Sequence, residues 1–202
     1  ESLENKGESS QRIYPRLLYN RAQEELNDRR LDEADRLLEK ALAAPYNEDV
    51  LPLVKFWKGE LAYFKKDYTN AIRYMNDYLR APVSNGEANA NNARYTLGYS
   101  LLLTDQFAPA EREFEALSKS KFTNPQQLDD VKVRMADAYY MQKSFSKAKP
   151  VYSDISDRKS DFSDYALYQL AMIAGAENKP AQKIAFLQAV DKNYNQTLCG
   201  GR

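Results

Sequence analysis

The stretch LGYSLLLTDQFAPAEREF, residues 97–114, decides how this chain is read. It sets Gly98 12 positions before Ala110, with Phe107 between them and Phe114 beyond. That spacing suits two helices folded into a hairpin. A glycine on the first helix lets the second approach, an alanine on the second meets it, and the aromatics fill the remaining gap. Working outward, the arrangement recurs. Small residues stand at Ala22, Gly59, Gly98, Ala136 and Ala171, separated by 37, 39, 38 and 35 positions. Leu31, Tyr68, Phe107, Phe145 and Pro180 form a second column, and Ala34, Ala71, Ala110, Ala148 and Lys183 a third. Leu38, Met75, Phe114, Tyr152 and Leu187 keep the same register, as do Ala41, Tyr78, Leu117, Ile155 and Val190. The two small residues are 12 apart in every unit, so the hairpin admits no insertion and the period varies only in the connectors. Segments 82–86 and 123–125, with Pro, Gly, Ser and Asn, supply turn and helix-start chemistry there. Within a unit, Tyr68, Ala71, Ile72, Met75 and Leu79 follow the spacing of an amphipathic helix.

Composition agrees with helices. Only 7 Gly and 8 Pro occur in 202 residues, too few to turn a protein of hairpin-connected strands, and 43% hydrophobic content is enough for a continuous interior. The 29 Lys and Arg cancel the 29 Asp and Glu, which removes the basic excess that drives non-specific nucleic-acid binding. The single cysteine, Cys199, rules out an internal disulfide framework and leaves the redox compartment open. No apolar run approaches the 18 or more residues of a membrane-spanning helix. The first residue is Glu1, which reads as a processed form or an excised piece.

These columns resemble the tetratricopeptide repeat (TPR). Leu97, Gly98, Phe107, Ala110 and Phe114 carry the likeness best, followed by Met135, Ala136, Tyr139, Phe145, Ala148 and Tyr152. The first unit has Glu25 and Leu31 in place of the tyrosine and the aromatic, and the fifth has Pro180 and Lys183, so its second helix is the weakest element of the reading. The resemblance implies an all-α, right-handed α-α superhelix: a TPR-like solenoid of about five hairpins and ten helices over residues 13–193. Its units run about 13–45, 48–82, 87–120, 125–157 and 161–193, between a tail at 1–12 and a second at 194–202. Units this long are similar to those of the bacterial cell-envelope branch, which includes outer-membrane assembly lipoproteins and the periplasmic partner of the Tol-Pal system. That likeness implies a periplasmic or outer-membrane-associated location within a larger envelope protein, with the cytoplasm as the alternative. The C-terminal repeat has no polar capping helix, which implies a continuing chain or self-association through that end.

In this family partner segments lie on the concave surface formed by the first helices. Three residues before each small anchor stand Tyr19, Phe56, Tyr95, Val133 and Tyr168; four residues after it stand Leu26, Tyr63, Leu102, Tyr140 and Gly175. With Tyr99, the candidate partner-binding set is therefore Tyr19, Phe56, Tyr63, Tyr95, Tyr99, Tyr140 and Tyr168. Tyrosine suits such a face, because its ring packs flat while its hydroxyl stays wet. The competing reading is that these rings pack between neighbouring helices. Glu60, Arg94 and Asp137 read as solvated charge beside the set, and so do the adjacent carboxylates Glu24–Glu25, Asp32–Glu33 and Asp129–Asp130.

Chemistry is scarce. With no histidine, imidazole acid–base work, Ser-His-Asp triads, Cys-His pairs and imidazole metal ligation are all unavailable to this chain. Gly98-Tyr99-Ser100 lacks the second glycine of a nucleophile elbow and lies mid-helix. No glycine-rich phosphate loop appears, and no cofactor or metal is expected. The sequence thus reads as a non-catalytic scaffold for a protein or peptide partner. One alternative is an RNA-binding helical-repeat protein, against which Glu60 and Asp137 argue. Another is the scaffold portion of a multidomain enzyme or glycan-capture system.

Overall fold

The computed structural model describes residues 7–121, 125–158 and 160–199. Among them are ten α-helices and no strand: α1 Glu8–Asn27, α2 Leu31–Ala43, α3 Leu51–Phe64, α4 Tyr68–Leu79, α5 Ala90–Leu102, α6 Phe107–Ser118, α7 Pro125–Met141, α8 Phe145–Asp157, α9 Ser163–Ala176 and α10 Pro180–Cys199. The chain divides into two compact units, α1–α5 up to Thr104 and α6–α10 from Asp105 on. In the first, α1 packs on α2, α2 on α3, α3 on α4, α4 on α5 and α3 on α5. In the second, each helix from α6 to α10 packs on the next.

The periodic columns are the core. All five small anchors are buried, and Ala34, Ala71, Ala110 and Ala148 of the second helices have no exposed surface. Leu38, Met75, Phe114 and Tyr152, with Tyr78, Leu117 and Ile155 one turn on, are buried behind them, each contributing roughly 1.5–3 kcal/mol of apolar transfer. The closeness that demanded a small residue is visible at Gly59, where an added Cβ would sit 2.9 Å from Met75 Cε. The fifth unit departs as its sequence does: Ile184 and Leu187 of α10 are exposed, and Lys183 takes the alanine position. Lys183 fits because its partner on α9 is Gly175, over which its aliphatic stem lies.

Four hairpin turns share one device that the columns did not announce. Arg29, Lys66, Lys143 and Asn178, each seven residues after the small anchor, hold φ between 56° and 61°. Their N–H groups donate to the carbonyls of Leu26, Tyr63, Tyr140 and Gly175 at 3.0, 2.9, 2.8 and 3.1 Å, and the next residues (Arg30, Asp67, Ser144, Lys179) donate to Glu25, Ala62, Tyr139 and Ala174 at 2.8–2.9 Å. This is the Schellman pair, which satisfies the last carbonyls of the first helix and sends the chain straight into the second. Asp105, between α5 and α6, has the same backbone, with φ 58°.

Several readings need correcting. The stretch 1–12 is helical from Glu8, the Gly7 carbonyl accepting from Ser10 and Gln11 N–H, and 194–199 continues α10; residues 1–6 and 200–202 lie outside the described residues. Pro180 opens α10 instead of weakening it, since a first helical residue has no N–H partner to lose. Glu25, Asp129 and Asp130 are buried, not solvated: Glu25 pairs with Arg21 and Arg30, Asp129 with Arg158, and Asp130 with Arg134. The connector at 82–86 is held from below, the Tyr78 hydroxyl donating to the Val83 carbonyl at 2.7 Å, and Asn89 then caps α5 by accepting from Asn92 N–H. Of the connector at 123–125, Thr123 and Asn124 lie outside the described residues and Pro125 begins α7.

Candidate partner-binding faces of the first helices

The seven candidate aromatics separate into three environments. Tyr19 and Phe56 are core, 4% and 1% exposed, and burial pushes the Tyr19 phenol up. Phe56 meets Tyr78 of α4 edge-on at 5.3 Å, so its ring serves chiefly packing. Tyr63 and Tyr140 are half-buried hairpin locks: Tyr63 packs on Tyr68 at 5.8 Å and Tyr140 on Phe145 at 5.7 Å, each pairing the end of a first helix with the start of its own second helix. Tyr95 and Tyr99 are half-buried on α5 with rings 4.9 Å apart, and Tyr168 on α9 is exposed.

In the first unit α3 and α5 enclose a cavity of about 360 Å³. Phe56, Trp57, Glu60 and Phe64 line it from α3, Asn92, Tyr95 and Thr96 from α5, and Glu87 from the connector. These positions repeat at helical spacing, which turns one stripe of each helix to the same space. Phe64 is an exposed ring at the rim, and Asn92 steadies Glu87 through bonds from Nδ2 to its carbonyl at 2.8 Å and to Oε2 at 3.1 Å. Glu60 accepts the Thr96 hydroxyl at 2.6 Å. Burial raises the Glu60 carboxyl above the usual carboxylate range; the Thr96 bond opposes this and the charge on Glu87 adds to it. It is therefore no solvated surface charge.

In the second unit the same register position is Asp137, one residue after Ala136 as Glu60 is one after Gly59. There the carboxylate is enclosed by its own chain. Oδ1 accepts from Tyr152 at 2.6 Å and from Tyr165 at 2.8 Å, while Oδ2 takes Arg134 at 2.7 Å. Burial and then the Asp137 charge hold the Tyr165 phenol up at about 12, and the same causes push Tyr152 higher still. Arg134 also faces the Tyr165 ring. This network is closed, and it ties α7 to α8 and α9.

No protein-family model and no curated protein sequence matches this chain. Solved structures do match. MamA from Desulfovibrio magneticus RS-1 superposes with TM-score 0.70 at 17% identity, over 91% of this chain and 96% of that one. YrrB, a TPR protein with an unusual peptide-binding site, gives 0.71 at 15% identity, over 86% and 82%. The apo form of RapI gives 0.65 at 15% identity, over 90% and 72%. The fold is a tetratricopeptide-type array of helical hairpins. At these identities the likeness is one of fold.

Within that TPR frame, reading the sequence column by column found the tyrosines and missed what surrounds them. The periodic columns do not mark Trp57, Thr96 or Tyr165, and the expectation that Glu60 and Asp137 are solvated charge fails. The signal lay in the position after each anchor, which reads Gln23, Glu60, Tyr99, Asp137 and Met172. At Glu60 and Asp137 this column faces a neighbouring first helix, through Thr96 of α5 and Tyr165 of α9, so its polarity follows the neighbour's. Ser100, the residue that gave the elbow-like triplet, is buried and donates to the Thr96 carbonyl at 2.7 Å, which leaves it a packing residue. Among the described residues no helix is long and apolar enough to cross a membrane.

Proposed function

We propose that this chain is a non-catalytic protein-interaction scaffold that holds a segment of a partner protein against the first-helix faces of its TPR array. The observation that carries the reading is the α3/α5 cavity, where the rings of Phe56, Trp57, Phe64 and Tyr95 stand among Glu60, Glu87, Asn92 and Thr96, the composition of a recognition site and not of a reaction centre. Tyr95 and Tyr99 beside it, and Tyr168 on α9, offer further ring surface that a partner would bury at low entropic cost. The absence of histidine from the sequence and the engagement of Ser100 with its own helix favour binding over chemistry. The acidic character of the cavity disfavours RNA, which needs cations along its backbone. The lengthened repeat extends the proposal to a bacterial envelope setting, within a larger protein, and fractionation of cells carrying a tagged chain checks that part.

The test compares capture from the native extract by the wild-type chain and by a Tyr95→Ala, Tyr99→Ala, Tyr168→Ala variant of matched helicity. A protein retained by the first and lost by the second supports recognition on these faces. Retention unchanged by the variant moves the site to the second helices or connectors, and retention of RNA alone overturns the scaffold.

A further inference from the structure

Half-buried carboxylates in this protein are, as a rule, given a cation. Glu25 has Arg21 and Arg30, Asp35 has Lys58 at 2.6 Å and Lys65 at 2.7 Å, Glu111 has Lys147, and Glu177 has Lys149 and Lys179. Asp137 has Arg134 and two phenols, so both its oxygens are occupied. Glu115 accepts the Tyr139 hydroxyl and, among the described residues, has no paired cation, but it lies in the field of Lys147; Glu60 has not even that. Its one described partner is the neutral hydroxyl of Thr96 on Oε1; no Lys or Arg among the described residues pairs with it, and the charge that acts on it is the like charge of Glu87. A carboxylate withdrawn from water with no counter-ion is a cost to the folded chain unless something else uses it.

The surroundings say what would use it. Glu60 opens into the α3/α5 cavity, which has Trp57 and Tyr95 in its walls and Phe64 at its rim, with Glu87 adding a second negative charge at the mouth. Aromatic faces around a carboxylate hold the apolar stem of a long basic side chain and attract its charged head. An anionic segment is repelled there, and a purely apolar one would complete the desolvation of Glu60 without pairing it, so both are selected against. A metal ion would find too few donors, since among the described residues no group of three His, Cys, Asp or Glu is placed to hold one.

We propose that the α3/α5 cavity receives one basic side chain, lysine or arginine, of the partner segment, with Glu60 as its counter-ion and Trp57, Phe64 and Tyr95 packed around its stem. The proposal rests on the scaffold reading above and gives it a specificity determinant: a basic anchor flanked by apolar residues. Asp137 shows what the site would otherwise be, a carboxylate answered from within.

Short randomised peptides, displayed and selected on the full chain, supply the probe, and Trp57, the single tryptophan of the sequence, reports binding by its fluorescence. Enriched peptides should share a Lys or Arg beside apolar residues and should saturate the Trp57 signal. Replacing that basic residue by Gln should weaken binding roughly tenfold or more, and Glu60→Gln should weaken the unaltered peptide by a similar factor. The two changes together should cost little beyond either alone, the mark of a direct pair. Changing the peptide leaves the protein's folding untouched. Enriched peptides that bind this face without a basic residue, or that lose equal affinity for wild type and Glu60→Gln when it is replaced, overturn the assignment and leave the scaffold standing. Enrichment of no peptide at all overturns both.

Discussion

Lys66 and Lys143 hold a left-handed backbone that costs a residue bearing a Cβ about 1–2 kcal/mol. Glycine escapes that cost and gives back part of the gain as unfolded-chain entropy. Lys66→Gly and Lys143→Gly should therefore each stabilise the chain by about 0.5–1 kcal/mol in urea unfolding. Asn178→Gly should do less, because asparagine already tolerates the conformation. Glu60 offers a second single-residue expectation. Its carboxyl is raised in the fold, so the folded state binds the proton more tightly than the unfolded one, and the ionised form costs stability above the folded pKa. Glu60→Gln should raise the melting temperature at about pH 7, and the advantage should close toward about pH 3.5, where both states carry the proton. Neither feature was legible in the sequence. The turn column reads Arg, Lys, Asp, Lys, Asn, with no glycine to mark it, and the burial of Glu60 depends on a threonine 36 positions away.

At the scale of the helix, two glycines with the same propensity make opposite predictions. An alanine in place of either gains about 1 kcal/mol of helix propensity. At Gly59 the new Cβ would press on a fully buried Met75, and overpacking costs about 1–3 kcal/mol, so Gly59→Ala should be neutral to destabilising by about 2 kcal/mol. At Gly175 the neighbour is the flexible stem of Lys183, 3.3 Å away at Cδ, and Gly175→Ala should stabilise by about 0.5–1 kcal/mol. Chemical denaturation of the two variants decides both. The elements themselves were readable, since the small and bulky columns that define them are the residues the helices bury against each other. Where the reading slipped, at Glu8–Arg12 and at Pro180, the helix ran into sequence with no apolar period or opened on a residue that usually ends one. Propensity and N-terminal geometry permit both, and periodicity reports on neither.

At the scale of the whole chain, stability in a TPR array is nearly a sum of nearest-neighbour terms. In the first unit α3 is contacted by α2, α4 and α5, whereas α10 in the second rests on α9 and leaves Ile184 and Leu187 in the open. Amide exchange should be slowest in α3 and fastest, among the helices, in α10, and uniform protection along the chain would contradict the nearest-neighbour picture. The candidate site was half legible for the same reason of neighbourhood. A column of tyrosines marks the first-helix face, but whether a ring is core, hairpin lock or open surface depends on the helix beside it, as Phe56, Tyr63 and Tyr168 show in turn.

The constant step of seven residues from anchor to left-handed turn bears on how such a chain changes length. Since four hairpins close with the same bond pair, and the fifth turn shares their backbone, while the connectors differ, the hairpin is the indivisible unit of inheritance. Duplication, deletion or grafting will be tolerated with cuts at segments such as 82–86 and rejected inside the turns. An added cassette brings its own closure, and its acceptance is decided solely by whether the position after its anchor suits the helix it lands beside.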